Sequence, residues 1–454
     1  MQSIHAHHAL TPKGWQKDIT VFIENGQISG IRTRADTFDK HVDILLPAPV
    51  NLHSHSFQRA MSGLTEERGP QGQDSFWTWR QLMYRFLDSL TPDHVRAISE
   101  FVFMEMLEAG FAAVAEFHYL HHDANGKQYN NLSEMAAQIT QAATNSGIGL
   151  TLLPVLYIQG GCDGRHLMGG QRRFGCDLGL FEKLFTQTAA GIANAPSDFG
   201  VGVAPHSLRA VPPHALSRVQ SICPGGPIHM HLAEQINEVD EVFAYLNARP
   251  AEWLLDNASI DERWCLIHCT QITDQETTQL AQTGAVAGLC PITESNLGDG
   301  IFNGHKFFHA GGKFGIGSDS NIHIALWHEL ATLEYSQRLR DQSRATLALS
   351  DRSTGRVLFD STNTSGAQAA ARNSGGIETG RWADLIGISS DNEMLCHCSN
   401  DRILDSLIFS GRGHTCVSDV WSAGRHLVTQ GRHKDRDRIV KAYRNVLEKL
   451  KQKI

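Results

Sequence analysis

The stretch ILLPAPVNLHSH, residues 44–55, is an apolar, β-prone run (44–52) that ends in two histidines one residue apart, His53 and His55. Alternate side chains of an extended strand share one face, so this H-x-H pair aims both imidazoles at one point. Seven further runs of the same texture follow, at 112–117, 149–157, 200–204, 228–232, 264–268, 285–290 and 314–317. Longer segments with helical period separate most of them, notably 92–109, 132–145, 178–190 and 238–246. Eight buried strands alternating with helices predict an α/β chain built on a (β/α)8 barrel of the TIM type.

Such a barrel carries its chemistry at the C-terminal ends of its strands. His53 and His55 end the first run. In PIHMHLAEQ (227–235), His229 and His231 close the fifth, and Glu234 opens the loop beyond. His268 ends the sixth in WCLIHCT, and Asp319 ends the eighth in FGIGSDS. A purely structural role for these residues would need four coincidences at one face. The set predicts a divalent metal held by His53, His55, His231 and Asp319. His231 is preferred to His229 because it lies nearer the strand end; His229 is left as a supporting or core residue. Imidazoles with one carboxylate suit Zn²⁺ first, with Fe²⁺, Mn²⁺ and Ni²⁺ as other occupants. A bridged two-metal site would need a further carboxylate, often a carbamylated lysine on the fourth strand. Residues 199–206 contain no lysine, and Lys183 sits in a helical pattern. One ion is expected.

Composition sets the outer limits. The 454 residues are 41% hydrophobic and 19% charged, with a net charge of −8, so a large core is affordable and no basic stripe points to nucleic acid. The first residues, MQSIHAHHALTPKGWQKD, lack an apolar leader core, and no stretch approaches a membrane span. Nine scattered cysteines include one C-x-C (Cys396, Cys398) and no C-x-x-C, which reads as reduced thiols in the cytoplasm. Histidine is the outlier, at 24 residues.

Both ends of the chain read as β-structure. DITVFIE (18–24) alternates and is followed by Asn25-Gly26, a hairpin signal. Runs at 383–389, 405–409 and 417–427 read as strands, and 435–454 as a helix. The expected division is 1–46 and 373–434 as one small flanking β-domain, 47–372 as the catalytic barrel, and 435–454 as a terminal helix.

These residues resemble the amidohydrolase superfamily, in its mononuclear deaminase branch, through His53-x-His55, His231-x-x-Glu234, His268 and Ser318-Asp319. The resemblance is closer to the formimidoylglutamate deiminases, carried by NLHSHSFQRAMSGLTE (51–66), FWTWRQLMY (76–84), AEFHYLHHD (115–123), APHSLRAV (204–211) and HMHLAEQ (229–235). It implies hydrolysis of a formimino C=N group, with Asp319 accepting the water proton, Glu234 protonating the imino nitrogen and His268 hydrogen-bonding the attacking oxygen. It also implies a small dicarboxylate substrate, for which Arg80 and Arg209 are the candidate cations and Gln58, Tyr119 and His206 candidate hydrogen-bonding partners. On sequence grounds alone Arg80 reads as a solvated helix-face arginine; Arg209 does so less, because it follows the end of the fourth strand; Gln58, Tyr119 and His206 read equally as loop packing. A deaminase of the same branch acting on a nucleobase or triazine is the rival expectation, and a catalytically silent scaffold the remoter one. No nucleic-acid or membrane partner is expected, and symmetry favours a homodimer.

Overall fold

The computed structural model describes residues 2–33, 35, 37–64, 66 and 83–451. The chain opens with four strands, β1 (Gln2–Thr11), β2 (Gly14–Glu24), β3 (Gln27–Thr33) and β4 (Lys40–Pro47). Asn25 and Gly26 form the β2–β3 turn with φ of 50° and 81°, the two positive values that an Asn-Gly hairpin favours. The barrel strands follow: β5 (Val50–Ser54), β6 (Ala113–His118), β7 (Gly149–Leu156), the pair β8 (Gly200–Val201) and β9 (Ala204–Pro205), β10 (Ile228–Leu232), β11 (Trp264–His268), β12 (Val286–Leu289) and β13 (Lys313–Ile316). Four further strands follow, β14 (Leu385–Ile388), β15 (Val417–Ser422), β16 (Arg425–Thr429) and β17 (Arg432–His433), and the helix Arg436–Lys451 comes last among the described residues.

All barrel pairings are parallel. Two isolated parallel bridges, Val203 to Ile228 and Ser54 to Asp319, join the two arcs into a ring. The second closes the barrel at its mouth: His55 N–H donates to the Asp319 carbonyl and Asp319 N–H to the His53 carbonyl, both at 2.9 Å. Gly317 makes that approach possible, because a Cβ there would lie 2.7 Å from His53 Cβ. Helices Pro92–Ala109, Glu134–Ser146, Leu178–Ala193 and Ile236–Leu246 match the segments predicted from helical period. The first is stopped by Gly110 at φ 103°, as a left-handed C-cap requires.

The terminal strands form one eight-stranded sheet in the order β17-β16-β15-β14-β4-β1-β2-β3. The two ends of the chain meet at the antiparallel β14–β4 pair. This sheet has its own core of Ile4, Ala6, Val21, Leu45, Leu385 and Trp421.

Three expectations change. The run 44–52 is not one strand: its first part lies in β4 of the flanking sheet and its second in β5 of the barrel. Pro47 and Pro49 break the run, and Ala48 N–H leaves the ladder to donate to the Asp384 carbonyl at 2.9 Å. The run 200–204 is two short strands. Residues 405–409 are helical, within Asp401–Phe409, because Ile403, Leu404, Leu407 and Ile408 are buried with helical spacing. Among the described residues no helix is long and apolar enough to cross a membrane.

Candidate active site

Four side chains from three strand ends converge at the barrel mouth. His53 Nε2 lies 3.2 Å from His231 Nε2, and Asp319 Oδ1 lies 3.3 Å from both His53 Nε2 and His55 Nε2. One ligand atom from each of the four falls within 4.8 Å of the others, and all four residues are buried. A tetrahedral ion with bonds of about 2.0–2.1 Å would hold its ligand atoms roughly 3.3–3.4 Å apart, close to these contacts. Protonation agrees. Burial holds His53 down to about 3, despite the opposing pull of Asp319, and lowers His55 and His231 as well. Asp319 is depressed: burial opposes its charge, but the His53 hydrogen bond and the neighbouring histidines outweigh that. Three neutral imidazoles facing one carboxylate are the states a divalent cation requires. His55 Nδ1–H donates to the Phe117 carbonyl at 3.0 Å and His231 Nδ1–H to the His206 carbonyl at 3.2 Å, which leaves Nε2 of each as the donor atom. His229 points elsewhere, its Nε2–H donating to the Ala369 carbonyl at 2.7 Å.

The strand ends are bent to make this convergence. Ala233, His268 and Asp319 have φ of 50°, 71° and 45°, a left-handed region costly for non-glycine residues and common at functional sites. A buried amide–hydroxyl chain holds the Asp319 turn. Asn51 Nδ2 donates to Ser318 Oγ, which donates to Asn321 Oδ1, both at 2.6 Å. Asn321 Nδ2 then donates to Ser54 Oγ at 3.1 Å and to the Asp319 carbonyl at 3.0 Å.

Glu234 and His268 stand beside the four donors. His268 Nε2 lies 3.7 Å from Glu234 Oε1 and 3.9 Å from Asp319 Oδ2, while its Nδ1 meets Glu294 Oε1 at 3.2 Å. Burial opposes charge on His268, yet Glu234, Glu294 and Asp319 together push it up to about 10. Burial raises Glu234 to about 7, against the pull of His268. The Glu238 carboxylate accepts from the N–H groups of Ala233 and Glu234 at 3.3 and 3.0 Å and fixes the loop that carries Glu234.

A cleft opens over this group, lined in part by Gln58, Tyr119, His206 and Arg209. Gln58 Nε2 donates to Tyr119 Oη at 2.8 Å. Tyr157 and Phe174 add aromatic wall, with the Tyr157 and His206 rings 4.6 Å apart. Thus every candidate named from sequence stands at this mouth except Arg80, which lies outside the described residues.

Two buried acids escaped the sequence reading. Glu294, on helix Pro291–Leu297 after β12, holds His268 and also accepts from Cys290 N–H at 2.8 Å. Asp299 can bring a carboxylate oxygen within 4.8 Å of Glu234 and His268, hydrogen-bonds the Gln235 side chain and has Oδ2 without a partner. Burial and Glu234 push it up to about 9. The only available signal was their position just past the seventh run, which carried no spacing motif.

Fold and site together define a metal-dependent hydrolase barrel, and the chain belongs to the amidohydrolase family, whose model matches residues 44–426. A second model, described as the N-terminal domain of formimidoylglutamate deiminase HutF, matches residues 1–37. The chain is 42% identical over 455 aligned residues to a formimidoylglutamate deiminase of Pseudomonas aeruginosa, covering 99% of this chain and 100% of that one. Its fold is similar to that of an amidohydrolase from Brucella melitensis, with TM-score 0.94, 46% identity, and 99% and 100% of the two chains covered. It is also similar to a zinc-bound adenosine deaminase from Xanthomonas campestris, with TM-score 0.82, 20% identity, and 99% and 98% covered.

Proposed function

We propose that the chain is a formimidoylglutamate deiminase, converting N-formimino-L-glutamate and water to N-formyl-L-glutamate and ammonia in histidine degradation. The end-to-end match at 42% identity to a deiminase of that name is the observation that carries this reading. His53, His55, His231 and Asp319 would hold one divalent ion, with zinc the choice that best suits imidazole and carboxylate donors. When bound, such an ion supplies Lewis acidity, bringing a water from a pKa of 15.7 to about 7.

The protein groups then divide the proton work. Asp319 takes a proton from the attacking water as the C–O bond forms. Glu234, near neutrality in its buried setting, gives a proton to the terminal nitrogen of the substrate. His268 hydrogen-bonds the reacting oxygen and is kept in place by Glu294. The two water protons end on the terminal nitrogen as its bond to carbon breaks, and ammonia leaves. Arg209, with Arg80, would bind the carboxylates; Gln58, Tyr119 and His206 would orient the formimino group. We assign the assembly as a homodimer and the compartment as the cytoplasm, in line with an enzyme of small-molecule catabolism.

The aromatic wall of Tyr119, Tyr157 and Phe174 supports a second reading, deamination of a flat ring. Ammonia release from N-formimino-L-glutamate, guanine, cytosine and adenosine separates the two. The proposal expects turnover of the linear substrate at least a hundredfold above any ring; a ring substrate in first place would overturn it.

A further inference from the structure

Asp299 is a buried acid that the proton steps above leave unused. It follows the helix Pro291–Leu297 and is only 2% exposed. Three contacts pin it to the segments that carry the reacting groups. Its N–H donates to the Glu294 carbonyl at 3.0 Å, Gln271 Nε2 donates to its carbonyl, and Gln235 Nε2 donates to its Oδ1. Gln235 adjoins Glu234, and Gln271 lies just past His268. Oδ2 is buried without a partner, although a carboxylate oxygen of Asp299 lies within 4.8 Å of both the Glu234 carboxylate and the His268 ring. An ionised carboxylate has nothing to offer another carboxylate, whereas a carboxylic acid has a proton to donate. The groups that face Asp299 are Glu234 after β10, His268 on β11, Glu294 on the helix and Asp319 after β13, three acids against one histidine. Glu234 faces Glu238 and Arg209 as well. Burial and the Glu234 charge push Asp299 up to about 9, so it keeps its proton where Glu234 titrates.

We propose, on the deiminase reading above, that Asp299 is a positioning residue: its Oδ2–H donates to the Glu234 carboxylate and steadies that carboxylate once Glu234 has given its proton to the terminal nitrogen. A small rotation of the Glu234 side chain closes the gap between them. No proton leaves Asp299. A hydrogen bond to the charged form lowers the pKa of a carboxyl, so Asp299 makes Glu234 a readier donor than burial alone would allow. Glu234 and His268 line the cleft and Asp299 stands behind them, so it acts through Glu234 and does not touch substrate.

Two measurements test this, and the first needs no substrate. In infrared spectra of metal-loaded enzyme at about pH 8, between the two titrations, Asp299 should give a carboxylic-acid C=O band. Asp299→Asn should lack that band, and Glu234→Gln should shift it by changing the acceptor. A wild-type spectrum with no band removed by Asp299→Asn overturns the proposal. The second measurement is the pH profile with N-formimino-L-glutamate. Asn keeps an N–H for Glu234 and Ala does not. Asp299→Ala should lower kcat about 3–10-fold and move the alkaline limb of kcat/KM up by about one unit, with ion content at the wild-type level. Asp299→Asn should recover most of that loss and keep the wild-type limb. A limb that stays in place in Asp299→Ala, as a merely structural role would leave it, overturns the proposal. So does a limb that moves down in both variants, the mark of an ionised Asp299. Should Asp299→Ala fold poorly, the infrared band and the Asn profile decide. A wild type that releases no ammonia from this substrate sinks the deiminase reading, while the band still reports whether Asp299 is the donor.

Discussion

Glu234 carries the sharpest residue-scale test. Its carboxyl is held up to about 7 mainly by burial, so its protonated fraction falls as pH rises, and a cation bound beside it can only lower that limb. If the acid form donates to nitrogen, kcat/KM should decline above a pKa no higher than about 7. Glu234→Gln keeps the shape and cannot cycle a proton, so kcat should fall by at least 10²-fold, within the usual 10²–10⁴ range for acid–base groups. Metal analysis should show the same ion content as wild type; loss of metal would make Glu234 a ligand. Arg209 tests specificity. Charge-assisted hydrogen bonds contribute roughly 1.5–3 kcal/mol, so Arg209→Ala should lower kcat/KM for formiminoglutamate by about 10–100-fold with metal retained. An uncharged formamidine should be processed equally poorly by both proteins.

At the scale of elements, strand ends bent into left-handed backbone create the site, and the Asn51–Ser318–Asn321 chain holds the bend at Asp319. Asn321→Ala would leave the buried Ser318 hydroxyl without its acceptor, at about 1–3 kcal/mol, and would take one of two donors from the Asp319 carbonyl, which keeps the His55 N–H. The expected result is a melting temperature lowered by several degrees and a metal affinity weakened about 10–100-fold, read by chelator competition. Unchanged affinity would separate this network from the metal. The same elements explain what could be read in advance. Strand alternation made His53, His55, His231 and the end position of Asp319 visible, since a period of two and a strand terminus are local properties. Glu294 and Asp299 were invisible because the short helix after β12 and the turn that ends it bring them in by tertiary path alone. The run 44–52 misled because apolar texture does not reveal which sheet a strand joins; the prolines at 47 and 49 were the available clue. Residues 405–409 misled because five apolar-rich residues fit either period, and the helix shows only when 401–404 are counted with them.

At the scale of the whole molecule, an ion held by His53, His55, His231 and Asp319 would be linked to barrel closure. The Ser54–Asp319 bridge that completes the ring joins the segment bearing His53 and His55 to Asp319, just past β13, so the candidate ligands flank the closure. An ion that binds only the folded chain stabilises it by about 2.7 kcal/mol when free metal is 100 times Kd. Removing it with a chelator should lower the melting temperature by several degrees, and re-addition of Zn²⁺ should restore both melting and turnover. The flanking sheet, with its separate core, should melt with the barrel because β4 runs directly into β5 and pairs β14.

In the proposed reaction the bond to the terminal nitrogen breaks while the bond to glutamate survives. NMR of the reaction with substrate labelled at the formimino carbon reads this directly. The label should appear as the formyl carbon of N-formylglutamate, with one ammonia released per turnover. Label appearing in formamide with free glutamate, or no conversion by fully metal-loaded enzyme, would contradict it.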